Sequence, residues 1–128
     1  MSTTFYTILK NLFGKKNVYS YNGNSVKYSP QDFIKYLEQD LGVGELFLQN
    51  VDAEGTWDGF DYEFVKQMVD YSSLPVIASG GAGNVDHLIK ILYESGANAA
   101  AIGSMAVYSK KGMGVLINFP KRAEVIRE

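Results

Sequence analysis

The sequence predicts an α/β fold in which parallel strands alternate with helices packed outside them. Three observations predict it. Short apolar runs rich in β-branched and aromatic residues alternate with segments whose apolar residues recur at helical spacing. Glycine-rich stretches close several of those runs, as expected at strand-to-helix turns. The balance of 46% hydrophobic and 20% charged residues is that of an ordinary globular domain.

Taken in order, Thr3–Leu9 is rich in β-branched and aromatic residues and reads as a strand. Val18–Tyr21 and Ser25–Tyr28 flank Asn22-Gly23, a dipeptide suited to a type I′ turn, and read as a hairpin. Ser29-Pro30 reads as an N-cap followed by proline at the first helical position. Phe33, Ile34 and Leu37 line one face of that helix, which stops near Gly42. Leu46–Val51 is a strand covered on both faces, followed by the loop Asp52–Gly59. Phe64 and Met68 mark a helix from about Asp61 to Tyr71. Leu74–Ser79 is the next strand, Gly80–Gly83 its loop, and a helix begins at Asn84 with Leu88, Ile91 and Leu92 inward. That helix ends at Gly96, Asn98–Ile102 is the last strand, and Gly103-Ser104 opens the loop or helix after it. Val115–Phe119 is an apolar run stopped by Pro120, strand or helix.

With 128 residues and neither linker nor low-complexity tract, residues 1–128 are expected to form a single domain. The net charge of -2 gives no electrostatic basis for a nucleic-acid or membrane partner. The lysines at 10, 15 and 16, and those at 110, 111 and 121 with Arg122, read as solvated surface or as a weak steering field for phosphate. The absence of cysteine excludes disulfides and thiolate chemistry, and a lone His87 excludes mechanisms with two imidazoles. No metal and no cofactor is expected. Apolar runs fall far short of the ~20 residues of a membrane span. The first residues have no signal-peptide pattern, so a cytoplasmic protein is expected.

Chemistry in a parallel βα array belongs at the carboxyl ends of the strands. Three such ends are unusual here: Asp52-Ala-Glu-Gly-Thr56, Ser79-Gly-Gly-Ala-Gly83 and Gly103-Ser104. Glycines let backbone N–H groups approach an anion closely, so the three together predict a phosphorylated small-molecule ligand. Each glycine also has a purely structural reading as a tight turn. Gly80–Gly83 fits neither a dinucleotide fingerprint nor a Walker loop. Asp52 and Glu54 are carboxylates suited to acid–base work, to bonding sugar hydroxyls, or to plain loop stabilisation. Trp57 reads as hydrophobic cover, and His87 as an exposed residue of the first helical turn.

The segments Gly42–Thr56, Gly59-Phe-Asp61 and Leu74–Gly83 resemble the cyclase subunit of imidazole glycerol phosphate synthase, from about Lys10 to Met105. That family is a (βα)8 TIM barrel. The resemblance covers strands five to eight, which implies a (βα)4 half-barrel. The chain is accordingly expected to be a half-barrel, a truncated gene product or a cut piece of a longer one. The likeness implies a phosphate cradle of Glu54, Gly55, Ser79, Gly80, Gly81, Gly103 and Ser104. It also implies a phosphoribulosyl substrate in histidine biosynthesis, with ammonia supplied by a glutaminase partner, and catalytic aspartates at strands one and five, the first outside the matched half. Asp52 stays a catalytic candidate from its place at a strand end. Two departures stand out. Thr7 occupies the position, anchored by Lys10-Asn-Leu-Phe-Gly14, where the family has its strand-five aspartate. A threonine cannot hold a proton for acid–base work near neutrality, so weak or absent catalysis by the chain alone is expected. Glu54 stands where the family usually has Asp. Val115–Pro120 is similar to the ending of a branch tied to amination of surface sugars. Because about eight strands are needed to close a barrel, an open half-barrel should associate, as a homodimer or with a complementary half.

Overall fold

A computed structural model describes residues 4–10, 15–19 and 28–127, with the backbone course alone for 4–10 and Tyr19. Strand β1 (Thr4–Lys10) is followed by β2 (Lys16–Tyr19), helix α1 (Pro30–Tyr36), β3 (Leu46–Asn50) and α2 (Tyr62–Tyr71). Then come β4 (Val76–Ser79), α3 (Val85–Tyr93), β5 (Ala99–Ala101), α4 (Ser104–Val107) and α5 (Arg122–Val125). The sheet order is β2-β1-β3-β4-β5. Strands β1, β3, β4 and β5 run parallel, as the alternation of apolar runs and helices predicts.

Strand β2 adds a pairing that the sequence reading did not include. It is antiparallel, and its partner is β1, with Lys10 opposite Lys16 and Thr7 opposite Tyr19. The expected turn at Asn22-Gly23 lies outside the described residues, and Tyr28 sits at a bend. A local turn signal says where a chain can reverse but not which strand it will lie beside.

Helix boundaries follow their caps. Ser29 Oγ accepts the Asp32 N–H at 3.2 Å, and Pro30 takes the first helical position. A π-helical turn at Leu37–Leu41 continues α1 and ends at Gly42, whose φ of 61° only glycine adopts without strain. Asp61 caps α2 through the Phe64 N–H at 3.2 Å, and Asn84 caps α3 through the His87 N–H at 3.0 Å. At the far end of α3 the Ala97 N–H reaches back to the Ile91 carbonyl at 3.1 Å across Gly96, a Schellman closure.

Period-two alternation divides the sheet into two unlike faces. Leu46, Leu48, Val76 and Ala78 point at the helices and are buried with Phe64, Val65, Met68, Leu88 and Ile91. Each of the large ones removes apolar area worth about 1.5–3 kcal/mol. On the other face Phe47 is in register with Ile77, and Gln49 with Ser79; all four are only partly covered. The expectation that β3 is covered on both faces therefore holds for its helix side alone.

The start of β4 depends on the side chain of Asn98, just before β5. Asn98 Oδ1 accepts the Val76 N–H at 2.9 Å, while the Asn98 N–H donates to the Val76 carbonyl at 2.9 Å. Val76 is fully buried, so Asn98→Ala leaves its N–H without a partner. The expected cost is about 1–3 kcal/mol, read as a lowered urea midpoint with an unchanged slope.

Beyond β5, Ile102, Met105 and Val125 still pack against the core, while the segment between α4 and α5 is largely exposed. The run Val115–Phe119 is neither helix nor regular strand. It lies along α4 through Leu116 N–H to Val107 carbonyl and Asn118 N–H to Ala106 carbonyl, each 2.9 Å, with Ile117 81% exposed. Helix α5, which the sequence reading did not anticipate behind Pro120, docks on α3, with the Arg127 N–H on the Tyr93 hydroxyl at 2.8 Å. Among the described residues no helix is long and apolar enough to cross a membrane.

Candidate functional site

The loops after β3, β4 and β5 meet at the carboxyl edge of the sheet. Asn50 Oδ1 accepts the N–H groups of Asp52 at 3.1 Å and Ala53 at 3.3 Å, which turns the chain sharply out of β3. Thr56 Oγ1 closes the turn on the Ala53 carbonyl at 2.8 Å, and Gly55 at φ 72° completes it. Trp57 then takes a φ of 66°, and its carbonyl lies where a side chain on Gly83 would be.

The glycines of the second loop are demanded by this meeting of backbones. A Cβ on Gly80 would stand 2.4 Å from the Asn50 carbonyl oxygen, and one on Gly81 2.0 Å from that of Gly59. The Gly59 N–H donates to the Gly81 carbonyl at 2.8 Å, stitching the loops together. His87 belongs to this framework: its Nδ1 accepts the Gly83 N–H at 3.1 Å.

Between the loops lies a small cavity lined by Glu54, Gly55, Ser79, Gly80, Gly81, Ala82, Ala101, Gly103 and Ser104. At about 10 Å³ it has room for one water. The residues expected from the sequence at 54, 55, 79, 80, 81, 103 and 104 thus surround one space. Asp52 does not line it; it faces a wider, open depression with Thr56, Asp58 and Glu63. Thr7 is known by register: it is opposite Gln49, which is opposite Ser79, which is opposite Ala101. With strands about 4.8 Å apart, the Thr7 position lies about 10 Å along this row from Ser79.

Two features were missed in the sequence. Gln49 interrupts an apolar run, and alternation in β3 puts it on the face away from the helices; its Nε2 donates to Glu54 Oε2 at 3.4 Å. Lys16 forms an ion pair with Asp61 and lies 4.2 Å over the Phe64 ring, so it braces β2 against α2 and is not a free steering charge. Nothing short of the folded chain brings positions 16 and 61 together. Tyr62 flanks the open depression, burial pushes its phenol above the ordinary range, and Lys90 Nζ lies 4.4 Å over its ring.

A sheet of parallel strands with helices on one face and glycine-rich turns converging at its carboxyl edge has counterparts among known proteins. The model of the family described as histidine biosynthesis protein matches residues 9–112. This chain belongs to that family. A putative imidazole glycerol phosphate synthase subunit hisF2 of Pseudomonas aeruginosa is 38% identical over 112 residues, covering 87% of this chain and 44% of that protein. A putative subunit hisF3 of Vibrio vulnificus is 34% identical over 120 residues, covering 91% of this chain and 45% of its own length. The imidazole glycerol phosphate synthase subunit HisF of Desulfovibrio desulfuricans is 44% identical over 72 residues, 56% of this chain and 28% of its own. The chain therefore spans less than half the length of these histidine biosynthesis relatives. Its parallel strands and their helices form an α/β sheet consistent with a partial TIM barrel of that family.

Proposed function

We propose that this chain is a cyclase-type half-barrel of the histidine biosynthesis family that binds the phosphate of a phosphorylated ribulosyl or sugar-like substrate. The convergence of Gly55, Ser79, Gly80, Gly81, Gly103 and Ser104 on one cavity supports the reading most directly. Consecutive glycines at φ 98° and 101° line it without side chains of their own, which lets an anion approach the backbone closely, and Ser79 and Ser104 add hydroxyls. The cavity must open beyond one water to admit a phosphate. Ammonia would come from a glutaminase partner, and Asp52, outside the cavity, would act on the substrate from the neighbouring depression.

Titrating the 15N-labelled chain with glycerol 3-phosphate to millimolar concentration tests the reading. Saturable shifts of the Gly80, Gly81 and Ser104 amides are expected. Unmoved amides at those three positions would overturn it.

Thr7 favours a second reading, a partner-binding scaffold without turnover of its own. It stands where the resemblance implies an acid, on the row that runs through Gln49 to Ser79. Thr7→Asp, combined with an N-terminal half-barrel and ammonium, should produce turnover under the first reading. Tight association with continued inactivity would favour the scaffold. In either case we read the partly covered sheet face as an association surface, for a second copy or for a complementary half.

A further inference from the structure

The cavity holds one group that does not suit an anion. Glu54 lines it beside the glycines, with Oε1 3.7 Å from where a Cβ on Gly103 would stand. Its other oxygen, Oε2, accepts from Gln49 Nε2 at 3.4 Å. Gln49 sits on the row between Thr7 and Ser79, so this contact runs from the sheet face to the loop rim. A carboxylate has only acceptors to offer. Beside a fully ionised oxyanion it repels; beside an oxyanion that carries a proton, or a ligand with a hydroxyl next to its phosphate, it accepts a charge-assisted hydrogen bond.

We infer that Glu54, oriented by Gln49, is a specificity-determining residue of this cavity. It selects phosphate groups that bring a hydrogen-bond donor with them and rejects bare dianions. The inference rests on the phosphate reading proposed above. The remaining lining is backbone and small side chains, so Glu54 is the longest movable wall of a space now sized for one water. Its side chain must turn aside or engage the ligand before a phosphate fits. Engagement requires a donor on the ligand. Inorganic phosphate and phosphate monoesters retain a proton on part of their population at a pH near 6, where sulfate carries none. The cavity should therefore separate two tetrahedral anions of nearly the same size.

The test compares sulfate, inorganic phosphate and glycerol 3-phosphate, followed at the Gly80, Gly81 and Ser104 amides near pH 6. The native chain should bind phosphate at least about tenfold more tightly than sulfate, one decade being about 1.4 kcal/mol. In Glu54→Gln, which keeps the shape and supplies a donor, sulfate should bind nearly as well as phosphate. Gln49→Ala, which leaves the carboxylate but removes its anchor, should narrow the preference part-way. Circular dichroism of both variants guards against misfolding, and Glu54 is exposed enough that neither should unfold the chain. An unchanged phosphate-to-sulfate ratio in Glu54→Gln overturns the inference and leaves the phosphate reading standing. If no anion moves the amides of the native chain or either variant, both fall together.

Discussion

Among the described glycines, Gly81 is where replacement by alanine should destabilise this chain most, by about 3 kcal/mol or more. The new Cβ would stand 2.0 Å from the Gly59 carbonyl oxygen and 2.7 Å from its carbon, and both are backbone atoms. Neither can rotate away, because the Gly59 N–H is itself held by the Gly81 carbonyl at 2.8 Å. The φ of 101° adds strain that an L-residue cannot relieve. Gly55→Ala is the matched control. Its φ of 72° carries a conformational penalty, yet nothing lies within 4 Å of its Cβ, so about 1–2 kcal/mol is expected. Urea denaturation of the two variants separates close packing from backbone strain. Equal losses would mean that the two loops are further apart in solution than their hydrogen bond implies.

The two faces of the sheet should respond very differently to the loss of a side chain. Leu46→Ala removes a fully buried residue on the helix side, with an expected cost of about 2–5 kcal/mol. Ile77→Ala removes one of similar size from the opposite face, which is only partly covered, and an isolated chain should lose about 1 kcal/mol. Should that face associate as proposed, the Ile77 loss grows with protein concentration, while the Leu46 loss does not. Sedimentation equilibrium on the same samples reads the assembly directly. A monomer at all concentrations with a large Ile77 effect would mean that the face is covered from within the chain.

The success of local reading can be traced to particular residues. Ser29, Asp61 and Asn84 were legible as helix starts because a capping side chain bonds to an amide three residues on. Burial of Ile34, Met68, Leu88 and Ile91 followed from helical spacing alone. The strand-end glycines were legible as a set, because α/β topology brings successive carboxyl ends to one edge whatever the side chains are.

Other features depended on contacts between distant residues. Val115–Phe119 has the composition of a core element, but it is tied by backbone hydrogen bonds to α4 and stays exposed. Gln49 interrupts an apolar strand; its bond to Glu54 gives it a place only once the turn at Asn50 folds the loop back over the strand.

By itself the sequence determined the α/β class, the order of α1, α2 and α3, the cap at Ser29, the family and the rim at which a ligand should be sought. These rest on interactions within a few residues or on topology, and both are written locally. Only the tertiary structure decided that β2 pairs with β1, that Asp52 faces away from the cavity while Glu54 faces in, and that Gly81 is compelled by the backbone of Gly59. Each of these is a meeting of segments separated by loops, and its energy depends on distances across the fold that no local pattern encodes.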